Sequence, residues 1–120
     1  MPKTTKKHFD LFKAECEKWV DTFSLRDWDV SYGIKKMPDD YAECKGNVFS
    51  RSATMWLAYE LPEDELTTSE IKLTALHEVL ELLLAKGRTL MVSKYVEDYE
   101  ADEATHAVIQ TLINYIKSRK

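Results

Sequence analysis

Residues 67–84 read Thr67-Thr68-Ser69-Glu70-Ile71-Lys72-Leu73-Thr74-Ala75-Leu76-His77-Glu78-Val79-Leu80-Glu81-Leu82-Leu83-Leu84. Thr67 with Glu70 three positions later has the pattern of a helix capping box, and neither Gly nor Pro interrupts the run from Ile71 to Lys86 until Gly87 stops it. Leu76, Val79, Leu80, Leu82, Leu83 and Leu84 make this helix apolar over most of its circumference, which predicts that it is buried. His77, Glu78 and Glu81 are the polar centre of that apolar helix.

On the N-terminal side, Phe9, Phe12, Cys16, Trp19, Val20 and Phe23 recur at helical intervals and predict an amphipathic helix from Thr5 to Phe23. The period then changes to two. Trp28, Val30, Tyr32 and Ile34 alternate with Asp29, Ser31, Gly33 and Lys35, the signature of a strand with one wet face. Turn chemistry at Met37-Pro38-Asp39-Asp40 precedes a second alternation through Ala42, Cys44, Gly46 and Val48, which breaks at Ser50-Arg51-Ser52. Large and β-favouring residues from Ala53 to Leu61, closed by Pro62, predict a third strand antiparallel to the second.

On the C-terminal side a last helix is expected over about Lys94 to Lys117. Ala101, Ala104, Val108, Leu112 and Tyr115 form one stripe on it, with Ile109, Ile113 and Ile116 beside them. Because the strands are grouped rather than interleaved with helices, the fold is predicted to be α+β: an N-terminal helix, a three-stranded antiparallel meander, the motif helix and a C-terminal helix. A chain of 120 residues with 44% hydrophobic content suits one domain spanning 1–120.

Composition excludes several classes. No stretch reaches the twenty or so apolar residues of a membrane span, and the Lys-rich start leads into an amphipathic pattern rather than a signal sequence, so a cytoplasmic protein is expected. A net charge of −4, with bases dispersed among acids, argues against a nucleic-acid partner. Cys16 and Cys44 lack metal-like spacing and are expected to be inert thiols. His8 reads as a solvated residue of the first helix, and Trp19, Trp28 and Trp56 follow core periodicities.

The chemistry therefore concentrates on the motif helix. His77 and Glu81, four residues apart, rise from one helix face, a spacing that lets two side chains grip one ion. Glu78 occupies the place that in an H-E-x-x-H arrangement serves as general base, while Glu81 stands where that arrangement has its second His. A carboxylate ligand suits zinc and also iron or manganese, and makes the pair harder and more negative than two imidazoles. On the last helix Glu103 and His106 have E-x-x-H spacing. If the two helices pack antiparallel after Gly87, His106 can complete the set with His77 and Glu81, and Glu103 can be a fourth ligand or orient an imidazole. The structural alternative is a polar network or a solvated face, which buried carboxylates without a cation would make costly.

The run Ala75-Leu76-His77-Glu78-Val79-Leu80-Glu81-Leu82-Leu83-Leu84, preceded by the strand around Met55 to Tyr59 and followed by Glu103-Ala104-Thr105-His106-Ala107-Val108-Ile109, resembles small phage and prophage proteins of the zincin-like metallopeptidase type. The resemblance extends over the order of elements in most of the chain. It implies a minimal zincin-like fold, His77 and Glu81 as zinc ligands, Glu78 as the base that activates water, and His106 or Glu103 as the third ligand. It also implies a metal-dependent hydrolase acting on a peptide or protein, in the host cytoplasm if phage-encoded. Such an enzyme could hold an extended peptide along the strand Ala53 to Leu61, expected at the edge of the meander. Two other readings stand beside it: a non-catalytic interaction protein on the same scaffold, and a two-His-one-carboxylate iron protein built on His77, Glu81 and His106.

Overall fold

The computed structural model describes residues 1–85 and 98–118. The chain is α+β: helix α1 (Lys6–Thr22), strands β1 (Asp29–Lys35), β2 (Ala42–Asn47) and β3 (Ser52–Ala58), then helices α2 (Thr68–Leu83) and α3 (Asp98–Ser118). Gly87, the expected stop of the motif helix, and Lys94, the expected start of the last one, lie outside the described residues, as does the side chain of Ala101. Among the described residues no helix is long and apolar enough to cross a membrane.

Helix α1 begins at Thr5, whose hydroxyl accepts the His8 backbone N–H while His8 Nδ1 accepts the Thr5 N–H at 3.1 Å. His8, read from sequence as merely solvated, closes a capping box. Helix α2 starts one residue after Thr67, whose side chain accepts the Glu70 N–H, and it ends at Leu83 with Leu84 as its C-cap.

The sheet departs from the expected meander. Its order is β1-β3-β2, with β3 in the centre, parallel to β1 from Asp29↔Ser52 to Lys35↔Ala58 and antiparallel to β2. Period-two alternation assigns faces to a strand but says nothing of its neighbours. The connection from Lys36 to Tyr41 is long enough to cross two strand spacings, about 10 Å, leaving a slot that β3 fills. The middle position accounts for the composition of β3, since Ala53, Met55, Leu57 and Ala58 are all buried. It also overturns the placement of Ala53 to Leu61 at an edge: β2 and β1 are the edge strands.

Helix α2 divides the core. Ile71, Ala75, Val79 and Leu82 pack with Phe12, Cys16, Met55 and Leu57 against α1 and the sheet. Leu76 and Leu80 pack against Ile109 and Ile113 of α3. The core stripe of α3 is thus Thr105, Ile109 and Ile113, whereas Val108 and Tyr115, expected on the packed stripe, are exposed. With both apolar sides of α2 engaged, its remaining sector faces the space between β2 and α3, and that sector carries the motif.

Candidate metal centre

Successive α-helical residues are rotated by about 100°, so relative to His77 the side chain of Glu81 lies about 40° away and that of Glu78 about 100° away. Glu78 therefore stands between the polar sector and the sheet-facing apolar side. This explains why it is 5% exposed while His77 and Glu81 are half-buried. Leu76 and Leu80, docked on Ile109 and Ile113, bring the next turn of α3 alongside, and His106 comes with it.

His77, Glu81 and His106 each offer a ligand atom, and these atoms all lie within 4.8 Å of one another. Glu81 stands between the imidazoles: its Oε2 is 3.9 Å from His77 Nε2 and its Oε1 is 3.5 Å from His106 Nε2. The two rings are 5.7 Å apart, tilted by 35°. Ligand atoms about 2.1 Å from a tetrahedral ion are separated by about 3.4 Å, so the carboxylate is already at coordination spacing from His106, while His77 Nε2, at 3.9 Å, lies slightly beyond it. This His/Glu/His group is close enough to hold a metal ion.

Glu103 does not join it. It is exposed on α3, and Asp102 rather than Glu103 lines the adjoining cavity. The cavity, of about 530 Å³, runs between the β1–β2 connection and β2 on one wall and α3 on the other, with His77, Glu78 and Glu81 at its floor. Asp40 and Cys44 also line it, and neither was a site residue by sequence reasoning. For Cys44 a signal existed, because the alternation of β2 puts it on the face that turns to α2; Asp40 sits in a turn and carries no such pattern.

Electrostatics set His77 and Glu78 of α2 apart from each other. Burial lowers the pKa of His77, with a smaller lowering from His106 and an opposing influence from Glu81; the neutral imidazole so favoured is the form that coordinates metals. Burial pushes the Glu78 carboxyl up to about 10, helped by a side-chain hydrogen bond with Glu81 and by the negative charges of Glu81, Asp40 and Glu43. Its Oε1 is buried with no hydrogen-bond partner among the described residues, a costly state for a carboxyl group. Burial also pushes the Cys44 thiol up to about 12, with Glu78, Glu81 and Glu43 contributing, so this thiol stays protonated at neutral pH. Cys16 is fully buried and its pKa is likewise raised by burial.

The arrangement is able to bind one cation between two helices and to keep a protonatable carboxyl beside it in a largely water-excluded position. No family model matches the chain, and neither a curated protein nor a solved structure shows significant similarity to it.

Proposed function

We propose that the protein is a metal-dependent hydrolase of the metallopeptidase type, with His77, Glu81 and His106 as metal ligands and Glu78 as the proton-transfer residue. The observation that carries this reading is the convergence of those three ligand atoms within 4.8 Å, next to a buried carboxyl whose Oε1 is without a partner. Two imidazoles and a carboxylate, with room for a further ligand toward the cavity, make up a donor set typical of catalytic zinc. Zinc is therefore the ion we assign.

A divalent ion held there would supply a Lewis acid that polarises a carbonyl and eases deprotonation of water. The remaining chemistry belongs to the chain. Glu78 is held protonated in the ion-free protein, and its ionised, proton-accepting form is favoured when a cation stands at the three ligands. In that form it takes the proton of the attacking water and returns it to the leaving amine nitrogen. Glu78 itself is 5% exposed, which strengthens its interaction with a nearby charge. The substrate side is supported by β2, which pairs only with β3 among the described strands and borders the cavity. Among the described residues its other edge is unpaired and suits an extended peptide bound by strand addition.

The donor set also favours one other reading, a two-His-one-carboxylate iron centre performing oxidative chemistry. Zinc-loaded protein incubated with a fluorescently labelled unfolded protein tests the hydrolase. Wild type should cleave it, and Glu78→Gln should keep the metal and lose cleavage by at least about a hundredfold. Undiminished cleavage by that variant would remove Glu78 from the mechanism, and activity only with iron and oxygen would favour the second reading.

A further inference from the structure

Strand β1 is an edge strand whose outer side is unpaired among the described residues. Its register with β3 is continuous from Asp29 to Lys35, with the Asp29 N–H donating to Arg51 O and Lys35 O accepting the Tyr59 N–H, both at 2.8 Å. The direction of hydrogen bonding alternates along a strand. Asp29 and every second residue up to Lys35 therefore turn their backbone groups to β3, and Val30, Tyr32 and Ile34 turn theirs outward. The devices that usually blunt an exposed edge, a proline, a bulge or a charge in mid-strand, are absent from β1.

The strand is also complementary to itself. Its outward groups are symmetric about Tyr32, so an antiparallel copy of β1 centred there satisfies all of them at once, with Tyr32 opposite Tyr32 and Val30 opposite Ile34. Any other antiparallel register within the strand leaves some of them unpaired. At the ends Asp29 stands opposite Lys35, so no like charges meet. Val30, Tyr32 and Ile34 are only half-buried, and a second strand alongside covers their open sides. Helix α1 fits the same symmetry. Lys13 Nζ lies 5.8 Å from the Tyr32 ring centroid. Glu17, one turn further on, is also near that ring: burial raises the Tyr32 pKa, and Cys16 and Glu17 add to the rise. Lys13 and Glu17 are both exposed, and neither forms an ion pair among the described residues.

We propose that β1 pairs with β1 of a second copy of this chain across a twofold axis through Tyr32, joining the two three-stranded sheets into one of six strands. The axis is normal to the sheet, so the helices of both copies stay on one face. Their α1 helices then run antiparallel to each other, with Lys13 of each facing Glu17 of the other. Strand β2, which borders the cavity, forms the opposite edge of the sheet, so the dimer leaves the metal centre and its approach open. One strand and one helix flank make a contact of modest size, which belongs with reversible, concentration-dependent association.

Sedimentation equilibrium at up to about 1 mM protein detects association of that strength, and amide exchange followed by NMR locates it. A monomer–dimer equilibrium is expected, with exchange at the Val30, Tyr32 and Ile34 amides slowing as concentration rises. The Ser31 and Gly33 amides, bonded to β3 within one copy, should be protected at every concentration. Lys13→Glu and Glu17→Lys should each weaken the dimer at least about tenfold, since each sets like charges together on both sides of the axis. The two substitutions combined should restore it, with circular dichroism confirming that every variant is folded. A protein monomeric throughout would leave the edge to some other partner and overturn the proposal. A dimer in which the three amides gain no protection would use another surface and overturn it as well. Single variants that dimerise as wild type does, or a combined variant as weak as the single ones, would also overturn it, because a twofold axis through Tyr32 requires the contact of Lys13 with Glu17.

Discussion

Glu81 on α2 and His106 on α3 meet with Oε1 and Nε2 3.5 Å apart, although they are twenty-five positions distant in the chain. Their contact joins the polar sectors of two helices whose apolar sectors are already locked through Leu76, Leu80, Ile109 and Ile113. Ligand geometry and core packing are therefore coupled, and the coupling is testable.

Ile109 is fully buried, one turn from His106, and is an apolar residue that offers no ligand atom of its own. Ile109→Ala should cost about 2–5 kcal/mol of stability and, by loosening α3 on α2, should weaken zinc binding as well. Urea unfolding gives the first quantity and zinc titration of the folded variant gives the second. Unchanged zinc affinity in a destabilised variant would show that α3 packing does not set the ligand geometry.

Metal-free protein should respond to pH through Glu78. Its folded-state pKa of about 10 exceeds the ordinary glutamate value of 4.5, so the folded protein retains a proton that the unfolded chain loses. The stability this confers is complete below about 4.5 and is lost progressively as pH rises toward about 10. Glu78→Gln, which cannot ionise, should flatten the profile and be more stable than wild type at pH 8, by on the order of 1–3 kcal/mol. Parallel profiles for the two proteins across pH 5 to 9 would contradict the burial of this carboxyl.

Gly33 tests the sheet order. A Cβ at this position of β1 would stand 2.5 Å from Trp56 Cζ3 on β3, a clash that exists only because these strands are paired. Gly33→Ala should destabilise the protein by about 1–3 kcal/mol and shift tryptophan emission as the ring moves away from Lys35, whose Nζ lies 5.1 Å from its centroid. Wild-type stability and emission would speak for the meander that the chain order first suggested.

That pairing marks the limit of what the residues reveal before folding. Alternation in β1 and β2 and β-favouring composition in β3 correctly assigned Tyr32, Cys44 and Met55 to strands, but the insertion of β3 between the other two depends on which edges are buried, a property of the whole sheet. The helix periods located α1 and α2 to within a few residues, because their caps and apolar spacing are local. They misjudged α3, where Val108 and Tyr115 compete with Ile109 and Ile113 for the core at similar hydrophobicity, and docking against Leu76 and Leu80 decides in favour of the isoleucines. His77 and Glu81 were legible from their i, i+4 spacing, and His106 from the spacing it shares with Glu103. Asp40 and Asp102 were not, since they become neighbours of the site through a turn and a helix packing that no local pattern encodes.

Ligand binding supplies a further expectation for stability. An ion that binds only the folded state at a hundred times its Kd adds about 2.7 kcal/mol. Zinc at that excess should raise the wild-type unfolding free energy accordingly, and His77→Ala should abolish the increment. An equal increment in the variant would place the zinc elsewhere.

The most direct measurement is calorimetric titration of zinc into metal-free wild type, His77→Ala, Glu81→Gln and His106→Ala, with circular dichroism confirming that each variant is folded. The account predicts one zinc per chain in wild type and at least about tenfold weaker binding in every variant, equivalent to about 1.4 kcal/mol or more per ligand. Folded variants that bind zinc as wild type does, or a folded wild type that binds none, would contradict the metal centre of His77, Glu81 and His106.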